Sequence, residues 1–390
     1  MGDNRKKRIL YFMPDNPFSN QAGNLTRTKQ LLKYFEQHET VLEIDFLSCL
    51  YWNKSSVELF KNTYPNVNLN IVDIYSNKSN RLKYLVEDKI PRLIYKAIYK
   101  PKISLLTPII IKRIKSLLQG KSYDIIVISY STWGALAAQL SQFNAYTIID
   151  THDFMTLQRM REKTNFDIGA AFKEEMAILS LYNEIWTYSI EERYIYEQFL
   201  KKKVTLLPVS VPDPKSVYNH EKSIDILYVA SDNIHNIESM MWFIDSVLPF
   251  LPLYKIHVVG KICTRIPDHP QLTKVGIVDD LEVYYAGAKI TICPMLSGTG
   301  IKIKVLESLC HGLPVVTTQR GIDGLVNKIN NGCVVANDEI HFAHAIIDLL
   351  EDNVFYKRQS EYARVFYKSF YACEYETRIL DRVFLDAKSI

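Results

Sequence analysis

The feature that most constrains this chain is a recurrence of short apolar runs rich in β-branched residues, each followed by a stretch with helical spacing. RILYFM (8–13), VLEIDFLS (41–48), YDIIVIS (123–129), YTIID (146–150) and EIWTYS (184–189) read as strands covered on both faces. A loop with Pro14, Pro17 and Gly23 leads into a helix expected from about Thr26 to Gln37, and a capping box of Ser189 and Glu192 predicts a helix from Ile190 to Leu200. Strands that alternate with helices imply a parallel sheet with helices on both sides.

The periodicity lapses at VTLLPVSVPDP (204–214), where three prolines predict a linker. It restarts with IDILYVAS (224–231), a helix over about 236–248, KIHVVG (255–260), a short strand near 274–277, KITICPM (289–295), LPVVTT (313–318) and CVVAN (333–337); residues 340–390 read as helices. Because 390 residues exceed what one hydrophobic core sustains, two α/β domains are expected, with a boundary near 207.

Six scattered cysteines without C-x-x-C spacing speak against a zinc site or a disulfide scaffold and predict a cytoplasmic setting. The apolar run after Arg5–Arg8 is too short for a signal-peptide core, and no stretch approaches the length of a membrane span, so neither export nor a spanning helix is expected.

Net charge is only +4, yet residues 78–121 hold twelve Lys or Arg against Glu87 and Asp88. This is either a solvated helical face or, given the interleaved Leu82, Leu85, Ile90, Leu93, Ile94 and Ile98, a surface for an anionic bilayer or a phosphorylated acceptor. Base-reading or stacking motifs are missing, so nucleic acid is not an expected partner.

The segment most informative about chemistry is CPMLSGTGIKIKVLESLCHGLPVVTT (293–318), which reads as strand end, glycine loop, helix and next strand. A loop with Gly298 and Gly300 at a helix N-terminus lets backbone N–H groups approach an anion, and the helix dipole adds roughly half a positive charge there. Lys302 and Lys304 in the first turn are unfavourable for that dipole unless an anion offsets them. They lie about 200° apart around a helix, so one is expected in the pocket and the other in solvent. Glu307, one turn on, is either the partner of a surface ion pair or a carboxylate that accepts ribose hydroxyls. In the first half, YTIIDTHDF (146–154) ends a strand with Asp150, His152 and Asp153, three candidate catalytic groups at a carboxyl edge; His152 would polarise a hydroxyl or take an acceptor proton.

The 293–318 segment resembles the donor-site signature of the group 1 (family 4) glycosyltransferases of the GT-B fold. Glu307 matches the second Glu of that signature, and Gly312, Pro314, Val315 and Val316 match its closing Gly-x-Pro and two valines; at the place of the first Glu stands Thr299. The resemblance implies two Rossmann-like domains, 1–207 for the acceptor and 208–365 for the nucleotide-sugar donor, whose parallel sheets face each other across a cleft. A helix over 366–390 would cross back to the first domain. It implies ribose binding by Glu307 and diphosphate binding by Gly298, Thr299, Gly300 and Lys302 or Lys304. Asn233 and His235 stand where the family often has an Arg and a Lys, while Gly23 and Asn24 lie in a loop similar to the one that approaches the diphosphate and acceptor. His152 would lie near the transferred sugar.

The implied reaction is transfer with retention, in which the donor phosphate helps to deprotonate the acceptor hydroxyl. No cofactor and no metal are expected, since no D-x-D motif follows a strand. The expected partners are a nucleotide-sugar and a glycan or lipid-linked acceptor, at the inner face of the membrane. The rival readings are another GT-B activity, such as an epimerase, and a sugar-nucleotide-binding or assembly protein without turnover, to which the missing first Glu gives weight.

Overall fold

The computed structural model describes residues 5–19, 23–74, 81–162, 164–214, 222–298 and 300–386. Its contacts divide the chain into two compact units. The first comprises Met1–Thr187, Glu192–Leu207 and the residues from Leu380 on; the second comprises Tyr188–Glu191 and Pro208–Ile379.

The first unit is built on a seven-stranded sheet of β1 (Lys7–Phe12), β2 (Leu42–Ser48), β3 (Val67–Ile71), β4 (Ile125–Ser129), β5 (Tyr146–Asp150), β6 (Glu184–Thr187) and β7 (Lys203–Leu206), in the order β3-β2-β1-β4-β5-β6-β7. All its ladders are parallel. The central strand β4 is buried at every position, which its IIVIS sequence requires of a strand covered on both faces.

Two of these strands depart from the sequence expectations. β3 was not expected, because Asn68 and Asn70 interrupt its apolar character at the sheet edge. β7 lies inside the stretch read as a linker; it pairs with β6 through Ile185 and Val204 and ends just before Pro208. The prolines that suggested a linker begin only after the strand has ended.

The second unit holds a six-stranded parallel sheet of β8 (Ile224–Val229), β9 (Ile256–Val259), β10 (Leu272–Gly276), β11 (Ala288–Cys293), β12 (Val315–Thr317) and β13 (Cys333–Val335), in the order β10-β9-β8-β11-β12-β13. The helix expected over 236–248 starts earlier, because Asn233 caps it by accepting from the Asn236 N–H. It runs as an α-helix over Ile234–Trp242 and then widens into a π turn, Phe243–Val247.

Three helices end the chain: Glu339–Glu351, Asn353–Phe370 and Cys373–Phe384. The tail joins the first unit later than the expected residue 366, because Phe366, Tyr367 and Tyr371 belong to a core cluster of the second unit. From Leu380 it is part of the first unit, where the Phe384 ring packs 5.0 Å from Phe35 and 6.0 Å from Trp186, and Tyr34 donates to Asp381 at 2.8 Å. Among the described residues no helix is long and apolar enough to cross a membrane.

Phe384 is fully buried, so Phe384→Ala is expected to destabilise the first unit by about 3–5 kcal/mol. Denaturant unfolding followed by tryptophan fluorescence measures this, and a loss below about 1 kcal/mol would remove the tail from that core.

Candidate functional site

In the second sheet the strand order changes direction between β8 and β11, and the loops that leave their carboxyl ends are where an open α/β sheet binds ligands. The β11 loop leads into helix Ile303–Cys310 through Gly298 and Gly300, whose φ values of +98° and +72° lie in the left-handed region that favours glycine. Thr299 lies outside the described residues. The loop is fastened to the helix after β8: His235 Nδ1 is 2.6 Å from Ser297 Oγ, and Leu296 N–H donates to Ser239 Oγ at 3.2 Å. The capping residue Asn233 also donates to Ser231 Oγ.

Neither lysine is an exposed surface residue, in contrast to the expectation for one of them: Lys302 is buried and Lys304 half-buried. Lys302 stands at the N-cap, is 8% exposed, and its ammonium donates to Gly300 O at 2.7 Å. Lys304 reaches across to Asn236 Oδ1 at 2.8 Å, its Nζ 4.6 Å from the centroid of the buried Tyr228 ring. Burial pushes its pKa down to about 8.

The Glu307 carboxylate forms no ion pair with Lys304; it accepts from Tyr285 OH at 2.7 Å. Burial raises its pKa, opposed by the Tyr285 hydrogen bond and by the charges of His311 and Lys304. Tyr285 stacks on His311, which bonds the Glu307 carbonyl through Nδ1 and faces Glu282 Oε2 at 3.0 Å through Nε2. Tyr285 and Tyr228 have no signal in the sequence near the residues they support.

In the first unit, Asp150 and His152 are both buried at the carboxyl end of β5. Asp150 is fully buried, and its Oδ2 lies 3.4 Å from Nε of the equally buried Arg27 and 3.7 Å from His152 Nε2. Arg27, on helix Gly23–Gln37, also donates to Leu207 O at 3.0 Å. His152 takes φ +59° and stacks at 4.3 Å on Tyr130, itself at φ +69°. Two non-glycine residues held in the left-handed region are costly, and such strain clusters at functional sites. Burial lowers the His152 pKa to about 4 despite the charge of Asp150, so the ring is neutral near pH 7. Asp153 is half-buried and its N–H donates to Thr151 O at 2.7 Å.

Gly23 and Asn24, expected in a loop, form the first turn of helix Gly23–Gln37, while 20–22 lie outside the described residues. Beside the loop after β1 opens a cavity of about 640 Å³ whose lining includes Asn16, Phe18, Ser19, Tyr51, Asn53 and Ser55. Among the described residues no three His, Cys, Asp or Glu side chains are grouped to hold a metal ion.

Residues 223–352 match the family model described as glycosyl transferases group 1. Over 132 residues the chain is 30% identical to an uncharacterised 44.6 kDa protein in the cps region of Klebsiella pneumoniae; the match covers 29% of this chain and 34% of that relative. Solved structures are similar over nearly the full length. Sucrose-phosphate synthase from Thermosynechococcus elongatus has a TM-score of 0.67 at 15% identity, covering 97% of this chain and 98% of that one. HepE of Anabaena, in complex with UDP-glucose, has a TM-score of 0.65 at 11% identity, covering 96% and 98%. S. aureus TarM, in a complex that includes UDP, has a TM-score of 0.65 at 12% identity, covering 97% and 100%. The second unit thus carries a group 1 glycosyltransferase domain, and the chain has the GT-B fold.

The neutral, buried His152 predicts an acid limb of stability. Its folded pKa lies below the ordinary 6.5, so the unfolded chain binds the extra proton, and stability falls as pH drops from about 6.5 towards 4. The slope is about 1.4 kcal/mol per pH unit for one such group. His152→Gln is expected to flatten that component in denaturation curves measured across the window; an unchanged slope would contradict it.

Proposed function

We propose that this protein is a retaining glycosyltransferase, which moves a sugar from a nucleotide-activated donor onto a glycan or lipid-linked acceptor. The observation that carries this reading is the pairing of unlike groups at the carboxyl edge of β8 and β11. A lysine held by neutral partners stands beside a glycine loop, and a carboxylate oriented by a tyrosine stands one turn further along the same helix. A nucleoside diphosphate presents the matching features, an anionic diphosphate and a ribose diol. HepE and TarM, whose folds this chain shares, are complexed with UDP-glucose and UDP, which supports the ligand class. The Klebsiella relative in the cps region supports a place in bacterial surface polysaccharide or glycoconjugate synthesis.

In this reading Gly298, Gly300, Lys302 and Lys304 bind the departing diphosphate, with Asn233 and His235 beside them, and Glu307 holds the ribose. Transition-state stabilisation then comes from fixed charges and dipoles and requires no metal. His152 acts as a neutral hydrogen-bonding group, because a base of pKa about 4 is too weak to carry the acceptor proton at neutral pH. The donor phosphate helps to deprotonate the acceptor, as the family resemblance implies. The uncharged lining of the cavity near Tyr51 fits a sugar hydroxyl surface on the acceptor side.

The test is release of nucleoside diphosphate from a panel of sugar nucleotides, with and without crude lipid or glycan acceptors. Acceptor-stimulated release from one donor is the expected result. Nucleotide binding without release favours the turnover-free alternative that Thr299 in place of the first Glu suggests.

Glu307→Ala is expected to weaken nucleoside diphosphate binding by about 10- to 100-fold, the size of charged hydrogen bonds. Glu307→Gln keeps a partner for Tyr285 and separates lost binding from lost packing; titration calorimetry reads both, and unchanged affinity would remove Glu307 from the site. Lys304 supplies a pH signature. An amine with a pKa of about 8 must take up a proton to meet a diphosphate, so affinity should decline as pH rises above about 8. Lys304→Met should bind weakly with that dependence gone. A flat wild-type profile between pH 7 and about 9.5 would contradict the role.

A further inference from the structure

The helix Ile90–Tyr99 is packed the opposite way from its neighbour. Helix Pro108–Leu117 buries Ile109, Ile110 and Ile114, whereas Ile90–Tyr99 has no buried residue. Its half-buried side is made by Pro91, Arg92 and Tyr95. Arg92 pairs with the fully buried carboxylate of Asp88, and Tyr95 senses Ser104 and Glu174.

Its apolar residues Ile90, Leu93, Ile94, Ala97 and Ile98 fall at i, i+3, i+4, i+7 and i+8, which is one face of a helix. All five are exposed, Ile98 at 66% and Leu93 at 57%. Leu82 and Val86, eight and four residues before Ile90, extend the exposed apolar surface across the π turn Leu85–Lys89 at 77% and 64%. A contiguous stripe of this kind on a water-soluble surface marks an interaction site.

Its charge says what covers it. Residues 81–100 hold six Lys or Arg against Glu87 and Asp88, and Asp88 is already buried against Arg92. Lys89, Lys96 and Lys100 are exposed on the same helix as the stripe or at its ends. An apolar face bordered by cations fits an interface that is itself apolar below and anionic above. A second copy of the same face would bring lysines against lysines, with Glu87 the one exposed acid of 81–100 to offset them.

We propose that this face is a contact with the surface of an anionic bilayer, with Leu93, Ile94 and Ile98 at the acyl boundary and Lys89, Lys96 and Lys100 among the lipid phosphates. This goes beyond the transfer reading and does not rest on it, since lipid binding is measured with neither donor nor acceptor present.

The test is flotation of the full chain with vesicles of phosphatidylglycerol and phosphatidylcholine against vesicles of phosphatidylcholine alone. Binding to the mixed vesicles is expected to exceed that to the neutral ones by about tenfold and to weaken in about 1 M salt, where the Debye length falls to about 3 Å. The double variant Ile94→Asp/Ile98→Asp should lose binding at least about tenfold, and Lys89→Gln/Lys96→Gln/Lys100→Gln should lose the preference for anionic lipid. Both variants alter exposed side chains, so their thermal unfolding should match the wild type and show that lost binding is not lost folding. Equal binding to the two vesicle types, no binding by the wild type, or full binding by the Asp variant would overturn the proposal. A wild-type dimer that the Asp variant dissociates, without vesicle binding, would overturn it in favour of a second copy.

Discussion

Every ladder in both sheets is parallel, and a parallel sheet leaves a chain no choice about where its strands end. Each crossover returns the chain to the same starting edge, so the loops that leave the strands gather at the opposite one. In the second unit this brings Ser297 to His235, 62 residues apart in sequence, and sets the glycine loop beside a capped helix start. The sheet beneath is dry: Tyr228 and Cys293 are fully buried. Polar groups at that edge, half-buried His235, Lys304 and Glu307 among them, are partnered by one another and by neighbouring side chains.

Desolvation then decides the chemistry. Lys304 and Glu307 are one turn apart and of opposite charge, and had they met they would have formed an inert ion pair. Each is instead engaged by a neutral group, Asn236 and Tyr285 respectively. A neutral partner orients a charge without cancelling it, so the amine is driven down to about 8 and the carboxyl driven up. Perturbed groups of this kind concentrate at functional sites, although structural networks produce them too.

How much of this the sequence discloses depends on the range over which each signal acts. Strands covered on both faces, such as β4 and β8, are legible because their burial demands continuous apolar residues. The edge strands β3 and β7 need cover only in part, so Asn68, Asn70, Lys203 and Thr205 hide them among loops. Gly298, Gly300, Lys302, Lys304 and Glu307 stand out because one local segment holds them all. What orients them is distant: Tyr285 lies 22 residues from Glu307, and Arg27 lies 123 residues from Asp150. Asp150 looks catalytic from its place at a strand end, and nothing near it in the sequence signals the buried guanidinium beside it.

The two units treat ionisable groups at their carboxyl edges in opposite ways. In the first, Asp150 is paired with Arg27, His152 is neutral, and the cavity beside the first loop is lined mainly by amide, hydroxyl and aromatic groups. In the second, a lysine held by neutral partners stands beside a loop whose two glycines take positive φ. The transfer proposed above, between a charged donor and a neutral hydroxyl acceptor, would make unlike demands of this kind. The leaving diphosphate needs fixed positive charge, whereas the acceptor needs orientation by groups that do not compete for its proton. In the proposed transfer, a neutral imidazole of low basicity would orient an acceptor hydroxyl without taking up its proton.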